Sequence, residues 1–76
     1  MPIYYFHVRG DGFEVPDIAG RLCADPADAR REAERMADDL VATALAAGTL
    51  PLDAVIEVDD EDQRPVLALP LSEVRR

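Results

Sequence analysis

His7 is the only histidine in the chain, and its side chain is the one whose ordinary titration falls near neutral pH. Acid–base work would need a second group within hydrogen-bond reach, and Asp17, Glu57 and Cys23 are the candidates to supply it. Nothing in their spacing requires such a pairing, so the reading taken is a strand histidine packed beside aromatic residues. Cys23 would become a nucleophile if the start of a helix near Pro26 lowered its pKa. A free cysteine is more often a small buried hydrophobe, and that reading is taken here. The run Asp59-Asp60-Glu61-Asp62 is the densest acid cluster. A calcium loop needs ligands at alternating positions around a sharp glycine turn, and consecutive acids diverge, so the run reads as a solvated turn. Gly10-Asp11-Gly12 has too few glycines for a phosphate cradle, and neither zinc-ligand spacing nor a nucleophile elbow is present. The expectation is a protein with no catalytic residue, no metal and no cofactor.

These side chains must be positioned by a small body. A chain of 76 residues forms one domain, residues 1–76, because at this length only about 60 to 65% of the unfolded surface can be buried. With 49% hydrophobic residues, no Trp, two Tyr and two Phe, the core is expected to be thin and rich in alanine. Sixteen acids stand against eight bases, a formal charge of -8. Such a field repels a phosphate backbone, so no nucleic-acid partner is expected. The opening MPIYY shows no secretory leader, and no apolar run approaches the roughly 20 residues of a membrane span. With Cys23 the only thiol, no internal disulfide forms, which suits a reducing compartment. A cytoplasmic location without membrane contact is the expectation.

Ile3 to Val8 all favour a strand, with Ile3, Tyr5 and His7 on one face and Tyr4, Phe6 and Val8 on the other. The Gly10-Asp11-Gly12 turn returns Phe13 to Val15 antiparallel, and Pro16 ends that pairing. Asp17 to Gly20 reads as a turn and Arg21 to Ala24 as a short further strand. The helix start is well marked: Asp25 as N-cap, Pro26 in the first position and Asp28 in the first turn. Ala29, Ala33, Met36, Ala37, Leu40, Val41, Ala44 and Leu45 then make one apolar stripe. Gly48 stops the helix and Pro51 prevents its resumption. Arg30 with Glu34, and Arg35 with Asp39, are spaced as solvated i,i+4 pairs. Ala54 to Asp59 alternates as a strand, Asp60 to Gln63 reverses it, and Pro65 to Leu71 returns with neither face polar. Ser72 to Arg76 should fray.

The opening MPIYYFHVRGDG, the Asp17 to Gly20 turn, the D-x-x-x-A-R helix start and the ending IEVDDEDQRPVLALPL together resemble a domain-of-unknown-function family of short bacterial proteins, number 6894. Its members open M-P-x-Y-[FY]-F and close V-x-D-E-x-G-x-x-[LV]-x-x-[LV]-P. The resemblance covers nearly the whole chain and implies a fold and no activity. Gln63 stands where the family usually has Gly. A shorter stretch, FEVPDIAGRLCADPADARREAERMADDL, is similar to the core of HicB-type antitoxins, in which a strand ending V-P-D-x-x-G leads through a short strand to an Ala-rich helix. That likeness implies a small basic ribonuclease as partner.

The architecture expected is α+β: two β-hairpins forming a four-stranded, or five-stranded, antiparallel sheet with one long helix on one face, in the order β-β-α-β-β. One helix covers one face. Because the first and last strands carry bulky apolar groups on both sides, the other face is expected to be apolar and buried by a second copy or by a partner protein. Tyr4, Phe6, Val66, Leu67 and Leu69 are the candidates for that contact, and the pattern leaves open which face looks outward. The function expected is a small, acidic, non-catalytic protein-interaction module, a homodimer in its simplest form. The alternatives are a HicB-like inhibitor of a small basic enzyme and an acidic mimic of nucleic acid.

Overall fold

The computed structural model describes residues 1–48 and 53–73. The elements run β1 (Ile3–Gly10), β2 (Phe13–Val15), β3 (Arg21–Leu22), α1 (Pro26–Ala47), β4 (Val55–Asp59) and β5 (Pro65–Pro70), followed by a single 3-10 turn at Leu71–Glu73. This is the α+β arrangement expected, with the fifth strand present as a two-residue piece. Ser72 and Glu73, expected to fray with the residues after them, instead form that 3-10 turn; the stop expected at Pro51, the rest of the fraying expected up to Arg76, and the side chain of Leu45 lie outside the described residues. No helix among the described residues is long and apolar enough to cross a membrane.

The sheet order is β2-β1-β4-β5, antiparallel throughout, and β3 also pairs with β1. Strands β2 and β3 therefore share one edge of β1, β2 alongside Val8 to Gly10 and β3 alongside Ile3 and Tyr4. The first hairpin closes through Asp11-Gly12, where Gly12 takes the positive φ of 83° that a side chain would resist. The second closes through Glu61, Asp62 and Gln63. Gln63 N–H donates to the Asp60 carbonyl and Asp60 N–H to the Arg64 carbonyl, each at 2.9 Å, the three-residue loop that calls for a left-handed residue at its third position. Gln63 fills it with φ 64°.

The helix caps as the sequence implies. Asp28 N–H donates to the Asp25 carboxylate, and the Asp28 carboxylate in turn accepts from Ala24 N–H, both at 2.8 Å. One amide donor that the first helical turn leaves orphaned is thereby satisfied, together with the amide just before the cap. At the other end Gly48 adopts φ 78°. Ala29, Ala33, Ala37, Val41 and Ala44 are buried, with Met36 and Leu40 half-buried beside them. The small alanines let the helix lie close against β4 and β5. On its outer side Arg30 reaches Glu34 at 3.9 Å, but Arg35 turns to Glu32 at 2.7 Å rather than to Asp39.

The register decides which face the helix covers. Phe6 lies opposite Val58 and Val8 opposite Ile56, so Tyr4, Phe6 and Val8 share a side with Ile56, Val58, Leu67 and Leu69. That side is the core: Ile56, Val58, Cys23, Tyr4, Phe6, Leu69 and Leu71 are all buried. The expectation that Tyr4, Phe6 and Leu69 lie on the uncovered face is thus corrected, since they are only 5%, 3% and 7% exposed under the helix. Val66 and Leu67 are half-buried and pack against the same core. Between the Val58/Leu67 and Asp59/Pro65 pairs the register shifts, making Val66 the extra residue of a bulge.

Pro70 is tolerated in β5 for a reason visible in the ladder. Leu71 N–H donates to the Ala54 carbonyl at 2.9 Å, and alternation then makes Ile56/Leu69 and Val58/Leu67 the hydrogen-bonded pairs. Pro70 falls at a position whose amide would face the free edge, so its missing N–H breaks no bond and blunts that edge against further pairing.

Candidate functional site

The uncovered face is not the continuous apolar layer that the strand pattern suggests. It carries Ile3, Tyr5, His7 and Arg9 from β1 beside Val55, Glu57 and Asp59 from β4. Arg9 and Glu57 form an ion pair across the strands, and His7 Nε2 lies 3.3 Å from Asp59 Oδ2. Opposite charges one register step apart stabilise the strand pair modestly, because this face is wet.

His7 is reached from a second direction by the loop between β2 and β3. After Val15 the chain leaves the edge of β1 at Pro16, which has no amide to offer a ladder, and rejoins it at Arg21. In the gap Asp17 replaces the missing strand. Its Oδ2 accepts the Phe6 N–H at 3.0 Å and its Oδ1 accepts the Gly20 N–H at 3.1 Å. Its own backbone N–H donates to His7 Nδ1 at 2.9 Å. Gly20 permits the return: it has φ 74°, and a Cβ there would come within 2.5 Å of the Ile3 side chain and 3.0 Å of the Tyr5 ring.

These contacts assign the tautomer of His7. Nδ1 accepts the Asp17 N–H, which leaves Nε2, 3.3 Å from Asp59 Oδ2, as the nitrogen that carries the ring proton. The acceptor nitrogen is thereby occupied by the backbone, and the other lies beside a carboxylate of the chain itself. A general base needs a lone pair free to meet substrate, and in this arrangement His7 has none to offer. Its acid partner is Asp59. Asp17, named in the sequence as a possible partner, contributes its backbone amide and keeps its carboxylate for the strand gap. Glu57 belongs to Arg9.

Around this network lies an open depression of about 500 Å³ lined by Tyr5, His7, Asp17, Ile18, Asp59 and Gln63. The Tyr5 and His7 rings are parallel within 9° with centroids 6.5 Å apart, which makes an offset aromatic shelf. Ile18 stands at the rim 88% exposed. Among the described residues no three His, Cys, Asp or Glu side chains are grouped so as to hold a metal ion.

Cys23 lies apart from this depression, wholly buried in the core, its amide donating to the Pro2 carbonyl at 3.1 Å. Burial pushes its thiol upward, and the carboxylates of Asp28 and Glu32 add to the effect while Arg21 opposes it. The helix start does not activate it, because Asp25 and Asp28 already neutralise that end. The Tyr4 hydroxyl is likewise raised, by desolvation first and by Asp25 next. Of the acid run, Asp59 ends β4 and the other three residues make the turn, where Asp60 Oδ1 accepts from Asp62 N–H and Arg64 N–H.

Sequence reasoning missed Asp59 and Gln63 as members of the site, and Asp17 as its organiser. The signal for Asp17 was its place after a strand-ending proline and three residues before Gly20. The signal for Asp59 was its phase with Glu57, which mirrors the phase of His7 with Arg9.

A small two-layer α+β domain with a polar, partly aromatic uncovered face is the class these features define. Residues 3–72 match the model of a family described as a domain of unknown function, DUF6894, and the chain belongs to that family. No curated protein and no solved structure matches it.

Proposed function

We propose that this domain is a small, acidic, non-catalytic protein-interaction module that docks through the interrupted edge of β1, onto a second copy of itself or onto another protein. The observation that carries the reading is where the exposed apolar surface lies. Apart from Met1, the exposed large apolar side chains among the described residues are Phe13, Val15, Ile18 and Leu22, at 43%, 58%, 88% and 63%, and these four belong to β2, β3 or the loop joining them. Large apolar groups gathered at one edge favour a protein contact over a solvated one. The occupied acceptor nitrogen of His7 and the buried, raised thiol of Cys23 argue against catalysis.

Charge favours a basic partner as the second reading, in the manner of a HicB-like inhibitor of a basic enzyme. Arg9, Arg21, Arg30, Arg31 and Arg35 each sit beside a carboxylate of the chain itself, so the field seen from outside is the acid surplus of -8. An acidic mimic of nucleic acid is less well supported, because the free carboxylates are spread over the turns, the helix and the open face.

Light scattering at micromolar concentration separates the versions. A mass of twice the chain that falls to one chain in Val15→Asp and Leu22→Asp supports self-association through this edge. A single-chain mass for the unaltered protein overturns the self-association version. Phe6→Asp cannot serve this purpose, since Phe6 is core and its replacement unfolds the domain.

A further inference from the structure

The geometry points to the depression over His7 as an anchor site for an arginine side chain of a partner protein. The inference rests on reading the domain as an interaction module, and it names the chemistry the open face would recognise.

Its polar lining is short of positive charge. Among the described residues the Asp17 carboxylate is held by two backbone amides and by no cation. One oxygen of the Asp59 carboxylate lies 3.3 Å from His7 Nε2, and His7 Nδ1 accepts the Asp17 amide. Among the described residues no arginine lines the depression. Two carboxylates around one depression, in a chain of net charge -8, form a local negative potential that a cation relieves.

The shape of the lining favours a guanidinium over an ammonium. Tyr5 and His7 present near-parallel rings, and a flat, weakly hydrated cation lies on such a shelf with cation–π stabilisation. Its forked donors can meet the free Asp59 oxygen and the side-chain carbonyl of Gln63, both on the lining. Ile18, exposed at the rim, supplies the apolar surface along which the three methylenes of arginine would lie. The exposed Ile18 and the left-handed Gln63 are thus accounted for together.

The lining also separates an arginine in a polypeptide from the free amino acid. A free arginine brings a zwitterionic backbone whose two strongly hydrated charges must be partly desolvated at the rim, and its α-carboxylate finds no cation among the described lining residues. A backbone-blocked arginine brings no such charge.

The test is a two-dimensional NMR titration of the folded protein at neutral pH with N-acetyl-arginine-N-methylamide, with N-acetyl-lysine-N-methylamide and with free L-arginine as the comparison arms. The inference expects saturable shifts confined to Tyr5, His7, Ile18, Asp59, Gln63 and their neighbours. It expects tighter binding of the blocked arginine than of either comparison. Asp59→Asn should weaken the blocked arginine about tenfold, the scale of one lost charge-assisted hydrogen bond. Ile18→Ser, at a position too exposed to disturb the fold, should weaken it by a smaller factor. Absence of saturable shifts at these residues overturns the site, as does free L-arginine binding as well as the blocked form. Either result stands whatever mass light scattering gives, so the anchor and the module fail separately.

Discussion

Removing the Asp17 carboxylate is the sharpest test of how this fold is held, because one side chain stands in for a missing strand. In Asp17→Ala the N–H groups of Phe6 and Gly20 lose acceptors at 3.0 and 3.1 Å. A hydrogen bond to a charged group contributes about 1.5 to 3 kcal/mol when buried. Both of these are part-buried, and water can reach the loop amide more easily than the strand amide, so the pair together should be worth about 2 to 4 kcal/mol. Domains of this size have a margin of only a few kcal/mol, so Asp17→Ala should be partly unfolded before any denaturant is added. In a urea titration followed by far-UV circular dichroism, a slope of about 1 kcal/mol/M turns that loss into a midpoint about 2 to 4 M lower. Asp17→Asn keeps one carbonyl acceptor but turns an amide donor toward another donor, so it should recover no more than about half of the loss. Glu14→Ala, exposed and outside the network, should stay within about 0.5 kcal/mol of the unaltered protein. A midpoint for Asp17→Ala indistinguishable from that of Glu14→Ala would refute the claim that Asp17 completes the edge of β1.

Gln63→Gly should stabilise the domain by about 0.5 to 1 kcal/mol, since relief of the left-handed strain outweighs the added chain entropy, and thermal melting would show a midpoint a few degrees higher. Alkali should destabilise it. Cys23 and Tyr4 have folded-state pKa values raised above their ordinary 9.0 and 10.0, so their contribution is fully present below those ordinary values and is lost as pH rises through the folded ones. Urea midpoints measured as a function of pH should therefore show a decline that begins above about pH 9, and Cys23→Ala should remove part of it. A thiol reagent at neutral pH should modify Cys23 only at the rate of global opening, and prompt modification of the folded protein would contradict its burial.

Local chemistry made some elements legible from the residues alone. The Asp25-Pro26-x-Asp28 start, the alanine stripe and Gly48 define the helix, because caps and periodicity act within a few residues of one another. The two hairpins are equally local, and even the awkward turn at Gln63 could be located, though its left-handed backbone could not. What the chain pattern left open was the facing of β1. Both of its sides carry rings, so Tyr4 and Phe6 were open to assignment on either one. The choice is made by pairing with β4, whose clean alternation of Ile56 and Val58 against Glu57 and Asp59 forces His7 and Arg9 to the wet side. Partners about fifty residues apart in sequence are brought together there by a ladder that no local preference encodes. The same holds for Asp17: its carboxylate acts only because Pro16 breaks the edge of a strand already placed by its other neighbour. The sequence by itself determined the elements and the acid surplus. Only the tertiary structure decided which face is core and that Tyr5, His7, Asp17, Asp59 and Gln63 line one depression, because strand register is fixed by summed burial across the sheet and not by any residue's own preference.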